Sequence, residues 1–154
     1  MTVPIFLPEE LYMKVKDCMT PTAVTVSEDE SAAAAARIMA RSNVGSLPVR
    51  GRGGRLCGIV TDRDLVLRCM AAGEDPRRVP VGRLMTTRLA VAKPTDSVFA
   101  AAERMAREQV RRLPVVEDGR LLGMVSLADI SRREDYAMEA AAALTEISGN
   151  VKKR

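Results

Sequence analysis

The spacing of apolar positions changes rhythm along this chain, and the changes come twice in the same order. After a short turn at "VKDCMT", the stretch "AVTV" (23–26) reads as a strand. "SEDES" interrupts it, with Ser31 in position to cap a helix over about Ala32–Arg41, where Ala35, Ile38 and Met39 share one face. "LPVR" and "LCGIV" follow as near-continuous apolar runs joined by a glycine-rich turn, the pattern of a hairpin of buried strands. Asp62 then opens a closing helix. The second passage runs in parallel: "VGRLMT", a strand "LAVA" (89–92), a cap at Ser97 or Asp96, a helix over Val98–Glu108, "LPVV", "LLGMV", and a closing helix from Ala128. Each passage is strand, helix, strand, strand, helix, so the fold class is mixed α+β.

The two passages are copies. A shift of 66 residues carries Val15, Met19 and Thr20 onto Val81, Met85 and Thr86, "MAR" onto "MAR", and "LPV" onto "LPV". The shift falls to 65 after the hairpin turn, and Leu56, Gly58, Val60 and Asp64 then meet Leu121, Gly123, Val125 and Asp129. Two copies are too few to stack as a solenoid, so they are expected to pair about a pseudo-twofold axis. The reading divides the chain into an N-terminal segment (1–14), a first repeat (15–71), a linker (72–80), a second repeat (81–132) and a C-terminal helix with a tail (133–154). That helix, read over 134–148, has no counterpart after the first copy, and "GNVKKR" reads as a loose tail.

Composition narrows the chemistry. Histidine is absent, which excludes Ser-His-Asp and Cys-His catalysis and the HExxH zinc site. Three cysteines, an odd number with no CxxC, read as reduced thiols, with Cys57 and Cys69 as core fillers. No leader and no membrane-length apolar run is evident, so the expected location is the cytoplasm, with no membrane partner. From Arg50 to Arg88 there are nine Arg, no Lys and four acids, a surplus of +5 against +4 for the whole chain. Arginine suits phosphate or carboxylate, but a solvated face or intersubunit ion pairs would need the same residues. No aromatic residue interleaves with them, so nucleic acid is not the expected partner.

The phrase written twice is "GIVTDRDL" and "GMVSLADI". A strand ending in Thr61 or Ser126 delivers a hydroxyl to a helix start, whose unpaired N–H groups can hold a phosphate. Asp64 and Asp129 follow three residues later and can accept hydrogen bonds from a ribose diol. Gly58 and Gly123 let a backbone or a ring come close. Together these groups suit a nucleotide. A plainer reading uses the same residues: Thr61 and Asp62 cap a helix, and the two aspartates complement its dipole.

These residues, with "MTPTAVTV", "AARIMARSNVGSLPV", "LMTTRLAVA" and "AAERMAREQVRRLPVVEDGRLLGMVSLADI", resemble a tandem cystathionine-β-synthase (CBS) domain pair, a Bateman module, of the stand-alone bacterial type. The resemblance covers about Val15 to Arg132. It implies two βαββα repeats facing each other across clefts, and a homodimer. In that family G-h-x-[ST]-x-x-D marks adenosine-nucleotide sites. Carried across, Asp64 and Asp129 would hold ribose hydroxyls, and Thr61 and Ser126 phosphate or ribose oxygens. Arg111 and Arg112, just before the second LPV, would meet phosphates, where the first copy has Gly45 and Ser46. Ala23, Leu89, Ile59 and Met124 would wall the adenine.

The resulting expectation is a non-catalytic regulatory module, with no catalytic residue, no metal site and no required cofactor. Its ligand is expected to be AMP, ADP, ATP or S-adenosylmethionine, bound in the cleft between repeats. The output is expected to pass to a separate effector protein, with the C-terminal helix as the contact. The competing readings are a ligand-free structural dimerisation protein and a nucleic-acid-binding module using the arginine surplus. "GRGGRLCG" lacks the GxGxxG spacing and reads as a turn, and Asp62 with Asp64 forms only a weak DxD signal for Mg²⁺.

Overall fold

A computed structural model of the chain describes residues 13–21, 24–132 and 137–152. In chain order the elements are α1 (Val15–Cys18), β1 (Thr20–Pro21), β2 (Val26–Ser27), α2 (Ala32–Ser42), β3 (Ser46–Arg50), β4 (Leu56–Thr61) and α3 (Asp62–Asp64). A π-helical stretch, Leu65–Met70, continues α3. Then come α4 (Val98–Glu108), β5 (Arg112–Glu117), β6 (Arg120–Ser126), α5 (Leu127–Ser131) and α6 (Ala137–Lys152). The mixed helix-and-strand class expected from the pattern is the one observed. Contacts gather the described residues into two compact units. One draws on residues 13–21, 90–117, 122–132 and 137–152, and the other, the Thr22–Leu89 unit, on the described residues 24–89 and 118–121.

The Thr22–Leu89 unit is built on a sheet ordered β2-β3-β4. β3 and β4 pair antiparallel, Leu47 opposite Val60 and Val49 opposite Gly58, across a turn whose Gly53 and Gly54 take φ of 72° and 76°. That positive φ is why the turn is glycine-rich. α2 starts where Ser31 Oγ accepts the Ala34 N–H (3.1 Å) and stops where Asn43 turns left-handed. Its Ala35 and Met39 are buried with Val26, Leu47, Val49 and Val60, and Ile38 packs against them. Val81 and Leu84, from the opening turn of the second copy, are buried in this same core.

The other unit repeats the plan. Its sheet is ordered β1-β6-β5, with Thr20 opposite Met124 and Pro21 opposite Gly123. Ser97 Oγ caps α4 by accepting the Ala100 N–H (3.1 Å), and Gln109 ends it left-handed. Met105, Leu113, Val115, Val125 and Ile130 form the core, joined by Val15 from the opening turn of the first copy. α6 packs on α4 and α5 and seats Ala143 and Ile147 in that core.

Several boundaries differ from expectation for identifiable reasons. The first strands are much shorter than 23–26 and 89–92. Val26 and Ser27 pair with β3, and Ala92 alone bridges to Val115. Ala92 donates to the Pro114 carbonyl (2.8 Å) and accepts from the Val116 N–H (2.9 Å). The next rung back would need an N–H from Pro114, which has none, and Pro48 stands at the same place in β3. The second closing helix begins at Leu127, one residue before the expected Ala128. α6 runs on to Lys152 through Gly149 and Asn150, which the sequence placed in a tail. One glycine costs a helix about 1 kcal/mol and does not by itself end it. No helix among the described residues is long and apolar enough to cross a membrane.

Candidate functional site

Each unit carries a corner where a strand becomes a helix. In β4, alternation sends Val60 into the core and leaves Ile59 and Thr61 on the opposite, half-buried face. At the corner Thr61 Oγ1 accepts the Asp64 N–H (3.0 Å), and Asp64 Oδ2 accepts the Thr61 N–H (2.9 Å). The β6 corner is built the same way. Val125 is buried, Met124 and Ser126 face the other side, and Ser126 and Asp129 exchange two bonds of 3.0 Å. Both phrases are therefore reciprocal capping boxes. The plainer reading of these residues is realised in full.

The capping box engages one oxygen of each aspartate. Oδ1 of Asp64 faces the Arg68 guanidinium at 3.8 Å, beyond hydrogen-bond range, and Oδ1 of Asp129 faces Arg132 at 3.4 Å. Arg68 also donates to the Leu84 carbonyl at 2.9 Å, which fixes it beside the corner. A donor such as a sugar hydroxyl can approach Oδ1 without dismantling the cap. The sequence reading missed both arginines. Their signal was present, because four and three residues after an aspartate on a helix put a cation on the same face.

The two glycines admit backbone rather than ligand. A side chain at Gly123 would place its Cβ 2.5 Å from the Thr20 carbonyl oxygen. At Gly58 it would meet Met85 Sδ at 2.5 Å and the Thr86 carbonyl at 2.9 Å. Thr86 in turn exchanges two backbone bonds with Ile59 (2.8 and 3.0 Å), bringing the segment that leads to Leu89 alongside β4.

The corners differ in what they offer an anion. In the Thr22–Leu89 unit the first three N–H groups of the closing helix are all engaged. Asp62 N–H goes to the Gly45 carbonyl (2.9 Å), Arg63 N–H to Asp62 Oδ1 (2.8 Å), and Asp64 N–H to Thr61. The expected unpaired donors are not there, and the Asp62 carboxylate adds negative charge. In the other unit the Leu127 N–H goes to the Arg111 carbonyl (3.0 Å), but Leu127 has no side-chain oxygen to offer the N–H of Ala128. That same bond holds exposed Arg111 at the helix start, with exposed Arg112 opening β5.

The structure thus brings Thr61, Asp64 and Ile59 to one corner, with Leu89 close by in sequence to the bridged Thr86. It brings Ser126, Asp129, Met124 and Arg111 to the other, with Arg112 beside Arg111. Leu89, Ile59 and Met124 are half-buried. Ala23 lies outside the described residues. Cys57 and Cys69 are free thiols. Cys69 is a core residue, whereas Cys57 is only half-buried, its thiol 3.7 Å from Glu28. Burial first, and then the Glu28 carboxylate, push that thiol above its ordinary pKa. Among the described residues no cluster of three or more Cys, Asp or Glu is placed to hold a metal ion.

The CBS domain pattern matches residues 15–70 and 81–135. The CBS domain-containing protein YhcV of Bacillus subtilis is 41% identical over 134 residues, spanning 87% of this chain and 94% of the relative. The crystal structure of Hypoxic Response Protein I with two coordinated zinc ions matches with a TM-score of 0.73 at 36% identity, covering 79% of this chain and 98% of that one. The CBS domain pair of protein MJ0100, solved in complex with 5′-methylthioadenosine and S-adenosyl-L-methionine, matches with a TM-score of 0.68 at 29% identity, covering 79% and 94%.

Proposed function

The chain belongs to the CBS domain family, and on that premise we propose that it is a non-catalytic regulatory module for an adenosine nucleotide or related adenosyl ligand. The observation that carries this reading is the corner written twice, in which a capped carboxylate keeps a second oxygen turned to an arginine. Asp64 and Asp129 take ribose hydroxyls at Oδ1, beside Thr61 and Ser126. Ile59 and Leu89 supply apolar cover for a base at the Thr61 corner, and Met124 supplies it at the Ser126 corner. Phosphate groups go to the Ser126 corner, where Arg111, Arg112 and the Ala128 N–H combine. The complex of a related CBS pair with two adenosyl compounds supports this ligand class. The module works as a cytoplasmic homodimer. Ligand shifts its pose only through a difference in affinity between two states, and a separate effector protein reads the shift.

Thermal melting against AMP, ADP, ATP, NAD and S-adenosylmethionine tests the proposal. One ligand at about 100 times its Kd stabilises the fold by about 2.7 kcal/mol, a saturable rise in Tm. Asp64→Asn and Asp129→Asn are the controls, because asparagine keeps an oxygen for the cap and loses the carboxylate. They should leave the ligand-free Tm near wild type and abolish the rise. A flat panel at millimolar ligand overturns the reading.

The capping boxes favour a second reading, a ligand-free structural dimer, since they account for both aspartates by themselves. On that reading Asp→Ala at either position lowers Tm through the lost cap alone, by about 1 kcal/mol of stability, and no ligand alters it.

A further inference from the structure

Three donors converge in the Thr22–Leu89 unit, at the other end of β4 from the Thr61 corner. Cys57 Sγ lies 3.9 Å from Met85 Sδ and 3.7 Å from Glu28 Oε2. The β3–β4 ladder slips between Val49, paired with Gly58, and Arg50, paired with Leu56, so Cys57 is the extra residue of a β-bulge. A bulge re-aims the side chain it carries. Glu28 is fixed by its own backbone, which donates to the Arg50 carbonyl (3.0 Å) and accepts from the Gly82 N–H (2.9 Å). The Met85 N–H is bound to the Val81 carbonyl (3.0 Å). All three residues are half-buried.

The spacing is that of ligands around a single ion. Two sulfurs 3.9 Å apart each reach one ion through a bond of about 2.3 Å, at an angle between the tetrahedral and trigonal values. The 3.7 Å from Sγ to Oε2 allows nearly the same angle. Gly51 leaves the approach uncovered, since a side chain there would set its Cβ 3.5 Å from Cys57 Sγ and 3.7 Å from Glu28 Oε1. The fold itself does not require this set. At the equivalent places of the other copy, Met19 matches Met85, but Leu122 and Pro94 replace Cys57 and Glu28. Without an ion, a thiolate at Cys57 would face the Glu28 carboxylate, like charge against like. A cation between them turns that repulsion into attraction.

We propose that Cys57, Met85 and Glu28 form a site for a soft monovalent cation, Cu(I). Thiolate and thioether are the donors that select Cu(I), and the methionine sulfur completes a set that thiols and carboxylates alone do not. Binding forms the metal–thiolate bond and releases the Cys57 proton to solvent. The ion ties Met85 to β4, and with it Thr86 and its two backbone bonds to Ile59. The site stands independently of the adenosyl-ligand reading, so either can fail without the other.

Anaerobic titration of the purified, reduced full chain with Cu(I), against bicinchoninate as a coloured competing chelator, tests this. The wild-type chain should take one equivalent from the chelator, and Cys57→Ala should lose that equivalent although Cys18 and Cys69 remain. Met85→Leu, which keeps the bulk and loses the thioether, should weaken binding about tenfold or more. Thermal melting of the ion-free variants separates lost binding from lost folding. X-ray absorption at the copper edge needs no variant, and on the loaded wild-type chain it should show two sulfur neighbours at about 2.3 Å. A wild-type chain that leaves all copper with the chelator overturns the proposal. So does copper with fewer than two sulfur neighbours, or a Cys57→Ala or Met85→Leu chain that binds as tightly as wild type.

Discussion

The Thr61 corner and the Ser126 corner share a strand end, a capping box and a carboxylate with an arginine beside it, yet they differ at one decisive position. Asp62 follows the first hydroxyl, and Leu127 follows the second. Asp62 accepts the Arg63 N–H, which completes the helix start and places a negative charge there. Leu127 is buried in the core and does neither. The same local instruction builds both corners, and a neighbour decides whether a corner has anything left for an anion. Shared motif residues therefore report the fold, and the residues between them report the chemistry.

The largest expected effect separates the two glycines. The Cβ of Gly123→Ala meets a backbone oxygen, which cannot yield without moving β1. Its cost lies towards the upper end of the roughly 1–3 kcal/mol typical of overpacking. Gly58→Ala first meets the flexible Met85 thioether, so it costs less. Urea denaturation of both variants checks the order, and equal losses would mean that β1 and the Thr86 segment are held alike.

A smaller effect probes the anion asymmetry. Arg111→Ala should weaken a phosphate-bearing nucleotide about tenfold, near 1.4 kcal/mol, and leave adenosine nearly unchanged. Asp62→Ala should not weaken either ligand. Calorimetric titration of AMP against adenosine makes the comparison, and equal losses for the two ligands would remove Arg111 from phosphate binding.

The smallest effect concerns pH. Burial and Glu28 hold Cys57 protonated to a higher pH in the folded chain than in the unfolded one. Its contribution to stability is complete below the unfolded thiol's pKa and declines as pH rises past it towards the folded value. Alkylation of Cys57 should therefore be slower than in the unfolded chain at mildly alkaline pH. Glu28→Gln should recover part of the rate, whereas an unchanged rate would leave burial as the whole cause.

Much of this was legible in the sequence because it is local. Ser31 and Ser97 cap where the pattern places them, the hairpin turn follows its glycines, and Ala35 and Met39 are buried at helical spacing. The short first strands were less legible, although their cause, the proline of each LPV, is in the sequence. Its effect appears only once the parallel partner is known.

By itself, then, the sequence determined the two copies, their elements and the hydroxyl and carboxylate at each corner, since caps and periodicity act over three or four residues. Tertiary structure decided that the opening turn of each copy is buried in the body of the other, Val15 with Leu113 and Val81 with Leu47. It also decided that Gly58 and Gly123 admit a neighbouring backbone. These follow from which distant segments compete to cover an apolar face, and no short-range spacing records the winner.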